Sequence, residues 1–539
     1  MQNCTYEHFG VMLDMSRNAV MKVSRVKQVI DCLEKMGYNT LSLYCEDTYE
    51  IKSQPYFGYM RGRYTGAEIK EIDAYAKAHG IELVPCVQTL AHFTATKKNF
   101  QLGSMFDVND ILFVGEEKTY QFIEDIFKTI AEDFTSRNVN IGMDEAHFVG
   151  LGKYLDKNGY RNRFDILMEH LHKVAEIAKK YGFNAHMWSD MFFRLAADGE
   201  YYAPNANIPD EVKKMLPENV SLCYWDYYHY EKEMYDAMFK AHEGFNGEIW
   251  FAGGAWCWSG FAPNNGKTLL TTRSAMQSVR EHGVKHVLIT LWGDNGRECS
   301  PFALLPSLYA AKQYADGNFD DEKIAEDFYK LFGVRFDDFT LLDLPNKTKP
   351  ADQTPTGNPC KALLYCDPFM GAFDKTVASK RPIPYAQYAE VLAKAAKRVG
   401  KFAYLFDMEA KLCHALAIKA ELGVNVRRAY HSKDNRVLAV CMKNCSVLKK
   451  RLKAFHQSLY ILWNKENKPQ GWEVQDARIG GLIMRIDTCQ KRLKEYISGK
   501  VENIPELEED VLQILDGSQI AMNNYGRLVS FNSLHFGNI

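Results

Sequence analysis

Two adjacent carboxylates, Asp144 and Glu145, follow the apolar run Val139–Met143 in the string Ile-Gly-Met-Asp-Glu. Along a strand, neighbouring side chains point to opposite faces, but where a strand ends and the chain turns, both can reach one pocket. Two close carboxyls push each other's pKa apart, which leaves one protonated near neutral pH as a general acid. Tryptophan recurs in the same setting: Trp188, Trp225, Trp256 with Trp258, and Trp292 all stand at or just beyond the end of an apolar run. Indole packs on the apolar C–H face of a pyranose while carboxylates and amides bond its hydroxyls, so the combination points to a sugar pocket.

These side chains need elements that bring them together. The apolar runs are Val11–Leu13, Thr40–Tyr44, Glu82–Val87, Val139–Met143, Asn184–Trp188, Val220–Tyr224, Glu248–Ala252 and His286–Leu291. Amphipathic stretches of helical period lie between them, among them Val23–Met36, Ala67–Ala78, Thr119–Phe134, Phe164–Tyr181 and Leu269–His282. Such alternation predicts a buried parallel sheet. Eight βα units within about 300 residues predict an α/β chain with a (β/α)8 TIM barrel, whose functional residues lie at the C-terminal strand ends. No G-x-G-x-x-G follows the first run, which weakens a dinucleotide-binding reading. In chain order the strand ends carry Asp14 to Arg17, Glu46-Asp47, Gln88 with His92, Asp144 to His147, and Trp188 to Asp190. Trp225 to His229, Trp256 with Trp258, and Trp292 to Asp294 complete the rim.

Residues 1–330 are therefore expected to form the barrel and 331–384 a connector, with little regular structure in the Pro- and Asp-rich part from Leu344 to Pro384. Residues 385–539 are expected to form an all-α C-terminal domain, with helices over Val391–Phe406, Lys411–Ala420, Val437–Trp463 and Ala477–Tyr496. Trp463 to Arg478, aromatic and polar between helices, is expected either to lean over a pocket or to fix helix packing.

Composition narrows the partners. The chain has 539 residues, and 66 Lys and Arg against 68 Asp and Glu leave a net charge of −2, with no footprint for nucleic acid or an anionic membrane. The aromatic excess is 30 Tyr, 31 Phe and 8 Trp, to be divided between core and ligand. Thirteen Cys without a C-x-x-C pair argue against a disulfide framework and for a reducing cytoplasm. Met1 to Gly10 lacks the form of a signal peptide, and no run of 18 apolar residues spans a membrane. No metal or other cofactor is implied: Asp144 to His147 spells the helicase DEAH box but lacks a zinc-type H-E-x-x-H helix. Gly266-Lys267-Thr268 ends like a phosphate loop, but Phe261 stands where that loop needs glycine.

The strand-end residues together resemble glycoside hydrolase family 20, the β-N-acetylhexosaminidases, in a bacterial subgroup with a helical C-terminal domain. The similarity spans about residues 8–316 and rests on Gly10 to Arg17, Ala78 to Pro85 with Leu90 to His92, Ile141 to Glu145, and Trp188, Trp225 and Trp292. It implies an exo-acting enzyme that removes terminal β-linked GlcNAc or GalNAc, with the substrate's own acetamido oxygen as nucleophile. In that scheme Glu145 is the acid and base, and Asp144 holds the acetamido N–H. The substrate-binding set is Arg17, His92, Trp188, Trp225, Tyr227, Tyr228, Trp256, Trp292 and Asp294. Tyr227 or Tyr228 would bond the acetamido oxygen, His92 would orient the pair, and Asp294 would accept from O4 or O6. The partner is an N-acetylhexosamine-containing glycan; pairing into a homodimer stays open. Phe9 replaces the family's usual Arg before the first-strand Gly. The alternatives are a retaining β-glycosidase with a protein nucleophile and an inactive sugar-binding barrel.

Overall fold

The computed structural model describes residues 6–258, 260–349, 351, 357–379, 381–513, 520, 522–530 and 532. The first five residues of the leader reading, Cys4, and parts of the expected connector and C-terminal domain lie outside them. Eight parallel strands close into a barrel in chain order: β1 (His8–Asp14), β2 (Thr40–Cys45), β3 (Glu82–Val87), β4 (Asn138–Asn140), β5 (Asn184–Trp188), β6 (Val220–Trp225), β7 (Trp250–Gly254) and β8 (His286–Leu291). β1 seals the barrel by pairing with β2 at Gly10↔Thr40 and with β8 at Phe9↔Val287.

Side-chain alternation divides the core in two. Val11 and Leu13 point outward to the helices, while Met12 points inward to meet Tyr44, Cys86, Trp188, Cys223 and Leu288. The outer helices present matching stripes; Val23–Met36 buries Val26, Val29, Ile30 and Leu33 and ends at Gly37 in the left-handed conformation. Each such buried side chain contributes about 1.5–3 kcal/mol. The helix Asn265–Glu281 begins at the phosphate-loop look-alike, and its N-terminus is already filled. Asn265 and Gly266 donate their N–H groups to the buried Asp343 carboxylate, both at 2.8 Å.

Two expectations change in the C-terminal part. The stretch 344–384 is not bare: Pro359–Tyr365 and Asp374–Ala378 are helical, and Pro359–Tyr365 is buried throughout. Its Ala-Leu-Leu core packs between barrel and helices, and Lys419 donates to the carbonyls of Leu363 and Cys366. The expected helix Val391–Phe406 is two helices, Tyr385–Ala396 and Ala403–Lys419, parted by a turn at Gly400, whose φ is +54°. Two long helices, Asn435–Glu466 and Trp472–Ile497, follow. Among the described residues no helix is long and apolar enough to cross a membrane.

At the end of the barrel away from the strand C-termini, Trp250 stacks on His186 at 4.0 Å and on His286 at 4.7 Å. His8 Nδ1 meets His286 Nδ1 at 2.8 Å, so the two rings share one proton. Burial, reinforced by His8 and His286, pulls His186 down to about 3. Folding therefore requires His186 neutral: its contribution is intact above the ordinary value near 6.5 and is lost as pH falls below it. Between pH 6.5 and 4.5 the Tm of the unaltered protein should fall more steeply than that of His186→Gln. Parallel slopes in differential scanning calorimetry would show that His186 does not control the acid limb.

Candidate active site

The strand expected through Met143 stops at Asn140, and the reason is local. Gly142 and Met143 both have φ +70° and Glu145 has φ +52°, so the chain leaves the sheet in a left-handed course. Asn140 turns its side chain to accept the Gly142 N–H at 2.8 Å. A Cβ on Gly142 would come within 2.0 Å of Gln88 Oε1, so only glycine fits there. This turn carries Asp144 into the barrel mouth and leaves the Glu145 side chain 46% exposed beside it.

Asp144 is held from two sides. Its Oδ2 lies 3.1 Å from His92 Nε2, and its Oδ1 accepts from Gln88 Nε2 at 3.0 Å. Burial alone would raise this carboxyl, but the His92 charge and the Gln88 amide outweigh it and hold Asp144 below the usual carboxylate range. For His92 burial works downward, and the Asp144 charge overcomes it and pushes the imidazole up to about 10. The partner that shifts Asp144 is thus His92 rather than the adjacent Glu145. The carboxyl raised into the neutral range is Asp190, lifted to about 7 by burial and then by Asp144. Asp190 Oδ2 accepts the Glu145 backbone N–H at 3.0 Å and Arg194 Nε at 3.1 Å, and so supports the turn from below.

The opposite wall is charged. Arg17 Nη1 donates to Asp14 Oδ2 at 3.0 Å, and its Nε lies 3.4 Å from Glu46 Oε1. Its guanidinium lies over Tyr44 at 4.8 Å and Trp292 at 5.2 Å, a cation–π clamp. Burial raises Asp294 and Glu46, with Arg17 opposing in both. Burial also pushes Asp14 up, but Arg17, the Ser16 N–H and Arg297 turn the balance downward. Phe9 is buried outside the barrel against Tyr6 and Tyr38, and the arginine at the mouth is Arg17, beyond the strand end.

The strand ends surround a cavity of ≈ 490 Å³ counted out into its open mouth. Ten of the eleven residues singled out from sequence line it: Asp144, Glu145, Arg17, His92 and Asp294, with Trp188, Trp225, Trp292, Tyr227 and Tyr228. Trp256 does not. It stands behind Trp258, stacked at 3.9 Å, with its indole N–H given to the Tyr227 carbonyl at 2.8 Å, and Trp258 takes the lining position. Tyr227 is buried between Trp225 and Trp258, its hydroxyl held near Trp292 and Thr290, whereas Tyr228 is 45% exposed at the rim. Trp188 Nε1 is buried at the wall with no partner among the described residues, a donor that suits a ligand. Gln88, Tyr44, Glu46 and Asp190 were missed as site residues; strand-end position was their one signal. None of the segment Trp463 to Arg478 lines the cavity.

Residues 6–243 match the model "Glycosyl hydrolase family 20, catalytic domain", and residues 337–524 match "Glycoside Hydrolase 20C C-terminal domain". Over 218 residues the chain is 22% identical to the β-hexosaminidase subunit alpha of Mus musculus, covering 35% of this chain and 40% of that protein. A β-hexosaminidase of Vibrio furnissii is 28% identical over 177 residues, 26% of this chain and 29% of its own. The chain thus spans well under half the length of these curated relatives. Among solved structures, the chitobiase of Flavobacterium johnsoniae superposes with a TM-score of 0.48 at 14% identity, over 97% of this chain and 78% of that one. The β-N-acetylhexosaminidase of Bacteroides fragilis gives 0.46 at 19% identity, over 61% and 70%. With the catalytic-domain match on the strands that carry the carboxylate pair and the 20C match on the helices behind them, the chain belongs to glycoside hydrolase family 20.

Proposed function

We propose that the protein is an exo-acting β-N-acetylhexosaminidase that releases terminal non-reducing β-linked GlcNAc or GalNAc by substrate-assisted retaining hydrolysis. The observation that carries this reading is the unequal pair in the barrel mouth: Asp144 pinned by His92 and Gln88, Glu145 beside it with its side chain open to the cavity. A carboxylate whose two oxygens are engaged and whose pKa is depressed is a weak nucleophile and cannot be the acid. It suits a different task, to orient the acetamido N–H and to balance the positive charge that develops as the acetamido oxygen attacks the anomeric carbon. That attack forms the C1–O bond of an oxazolinium ion as the glycosidic bond breaks, with Glu145 giving its proton to the leaving oxygen. Glu145 then takes a proton from the water that opens the ring. Holding the nucleophile within the substrate makes the step unimolecular.

Trp188, Trp225 and Trp292 supply apolar walls for the ring and the acetamido methyl, and Trp258 adds to them. The sheltered Tyr227, rather than Tyr228 at the rim, is the donor to the acetamido oxygen. Asp294 and Arg17 bond O4 and O6 at the closed end, which limits attack to chain termini. The twelve described cysteines are all free and buried, in keeping with a reducing cytoplasm.

The deciding experiment compares p-nitrophenyl N-acetyl-β-glucosaminide, its galacto isomer and p-nitrophenyl β-glucoside, with an oxazoline-mimicking thiazoline as inhibitor. Hydrolysis of an N-acetyl substrate that the thiazoline blocks is expected. Equal turnover of the plain glucoside would favour a protein nucleophile, and binding without turnover would leave only a sugar-binding barrel. Glu145→Gln should lose roughly 10²–10⁴-fold in kcat, and an unchanged rate would remove it from the acid role. In His92→Phe the Asp144 carboxyl loses its cation and its pKa rises, so the acid limb of kcat/KM should move to higher pH. An unmoved limb would show that Asp144 ionisation does not govern activity.

A further inference from the structure

Asp294 is followed by three residues in unusual backbone: Asn295 at φ +65°, Gly296 at +131° and Arg297 at +54°. Non-glycine residues held there are strained and persist only where surrounding contacts over-determine them. The barrel supplies part of the restraint: Gly293 N–H donates to Asp14 Oδ2 at 2.8 Å and Arg297 Nε to the Asp14 carbonyl at 3.0 Å. The rest comes from outside it. Lys361 Nζ, on the helix Pro359–Tyr365, donates to the Asn295 carbonyl at 2.7 Å, and Arg478 Nη1, on the helix Trp472–Ile497, does so at 2.8 Å. Both cations also bind Glu298 Oε1, at 2.8 and 3.1 Å. Lys361, Glu298 and Arg478 are all at least 95% buried, so the arrangement is built into the interface rather than laid on a surface. A Cβ on Gly296 would lie 2.6 Å from Arg478 Nη1, which shows how closely the helix presses on the turn.

We infer that Arg478 and Lys361 are positioning residues for Asp294: the helical domain clamps the turn after β8 and thereby sets the carboxylate at the closed end of the cavity. The inference rests on the hexosaminidase reading, which gives Asp294 its contact with the sugar. It makes the helices behind the barrel part of the sugar-selecting device although none of their described residues lines the cavity. A sugar contact remote from the bond being broken is made in ground and transition states alike, so its loss appears in KM more than in kcat.

The test is a double-mutant cycle between Arg478→Lys and Asp294→Ala, read as kcat and KM on p-nitrophenyl N-acetyl-β-glucosaminide. Arg478→Lys keeps a charge opposite Glu298 but loses the fork that spans Glu298 and Asn295. It should raise KM about tenfold with kcat within about threefold, and by less than about twofold once Asp294 is Ala. The neutral pair Arg478→Gln with Glu298→Gln is carried through the same cycle and decides the matter should Arg478→Lys fail to fold. Equal losses in both Asp294 backgrounds, or no loss at all, would overturn the clamp while leaving the hydrolase reading intact. An unaltered protein without activity on the N-acetyl substrate would overturn both.

Discussion

A carboxylate taken out of water is tolerable only where cations or several donors replace its hydration, and otherwise the penalty is several kcal/mol. The barrel mouth puts Asp14, Glu46 and Asp144 in that position at once. Their partners form one connected path. Asp144 takes Gln88, whose amide also reaches the Tyr44 hydroxyl; Tyr44 donates to Glu46; Glu46 pairs with Arg17; and Arg17 pairs with Asp14, which accepts the Gly293 N–H. Moving any member leaves another buried group unpartnered, so the carboxylate pair and the closed end of the cavity keep a fixed separation. Rigid placement of this kind suits the proposed reaction with an internal nucleophile, in which the substrate would be folded onto itself before bond breaking begins.

Much of this was legible in the sequence, and the reason differs from part to part. Strands buried on both faces read as unbroken apolar runs, so β3, β5 and β8 were placed to the residue. Strand-end position then brought ten of eleven named residues to one cavity, because the fold fixes which end of each strand faces the site. What could not be read was set by side-chain contacts across the barrel. Trp256 and Trp258 are equivalent in sequence, and contacts such as the Trp256 N–H bond to the Tyr227 carbonyl and Lys267 over its ring hold the first behind the cavity wall. Gln88 carries no chemistry of its own and matters through the oxygen it binds. The region from 344 to 384 misled because Pro and Asp suggest exposed loop, whereas Ala362-Leu363-Leu364 is core.

The aromatic excess divides in the same way. Trp188, Trp225, Trp258 and Trp292 face the cavity, while Trp250 fills the far end of the barrel among histidines and Trp463 packs within the helical domain. Composition could not separate these roles, since a ring buried against a sugar and one buried against a helix look alike in a count. Arg17 illustrates the complementary point. Phe9 faces outward from β1, so the residue that gives the mouth its cation lies beyond the strand end, next to the carboxylates that fix it.

Left-handed backbone is concentrated at this mouth: His92 after β3, Gly142, Met143 and Glu145 after β4, and Asn295 to Arg297 after β8. A barrel strand ends pointing out of the sheet, and a sharp reversal is the shortest way to aim the next side chain back over the axis. Such reversals are held by neighbours rather than by their own residues. Gln88 and Asp190 brace the β4 turn from within the barrel, and the β8 turn is tied to the end of β1 through Asp14. Lys361, on the helix Pro359–Tyr365, and Arg478, on the helix Trp472–Ile497, add two charged contacts to it from outside the barrel. On that account the left-handed turn after β8 and the helices packed behind it are physically linked, whereas the carboxylate pair after β4 is held within the barrel.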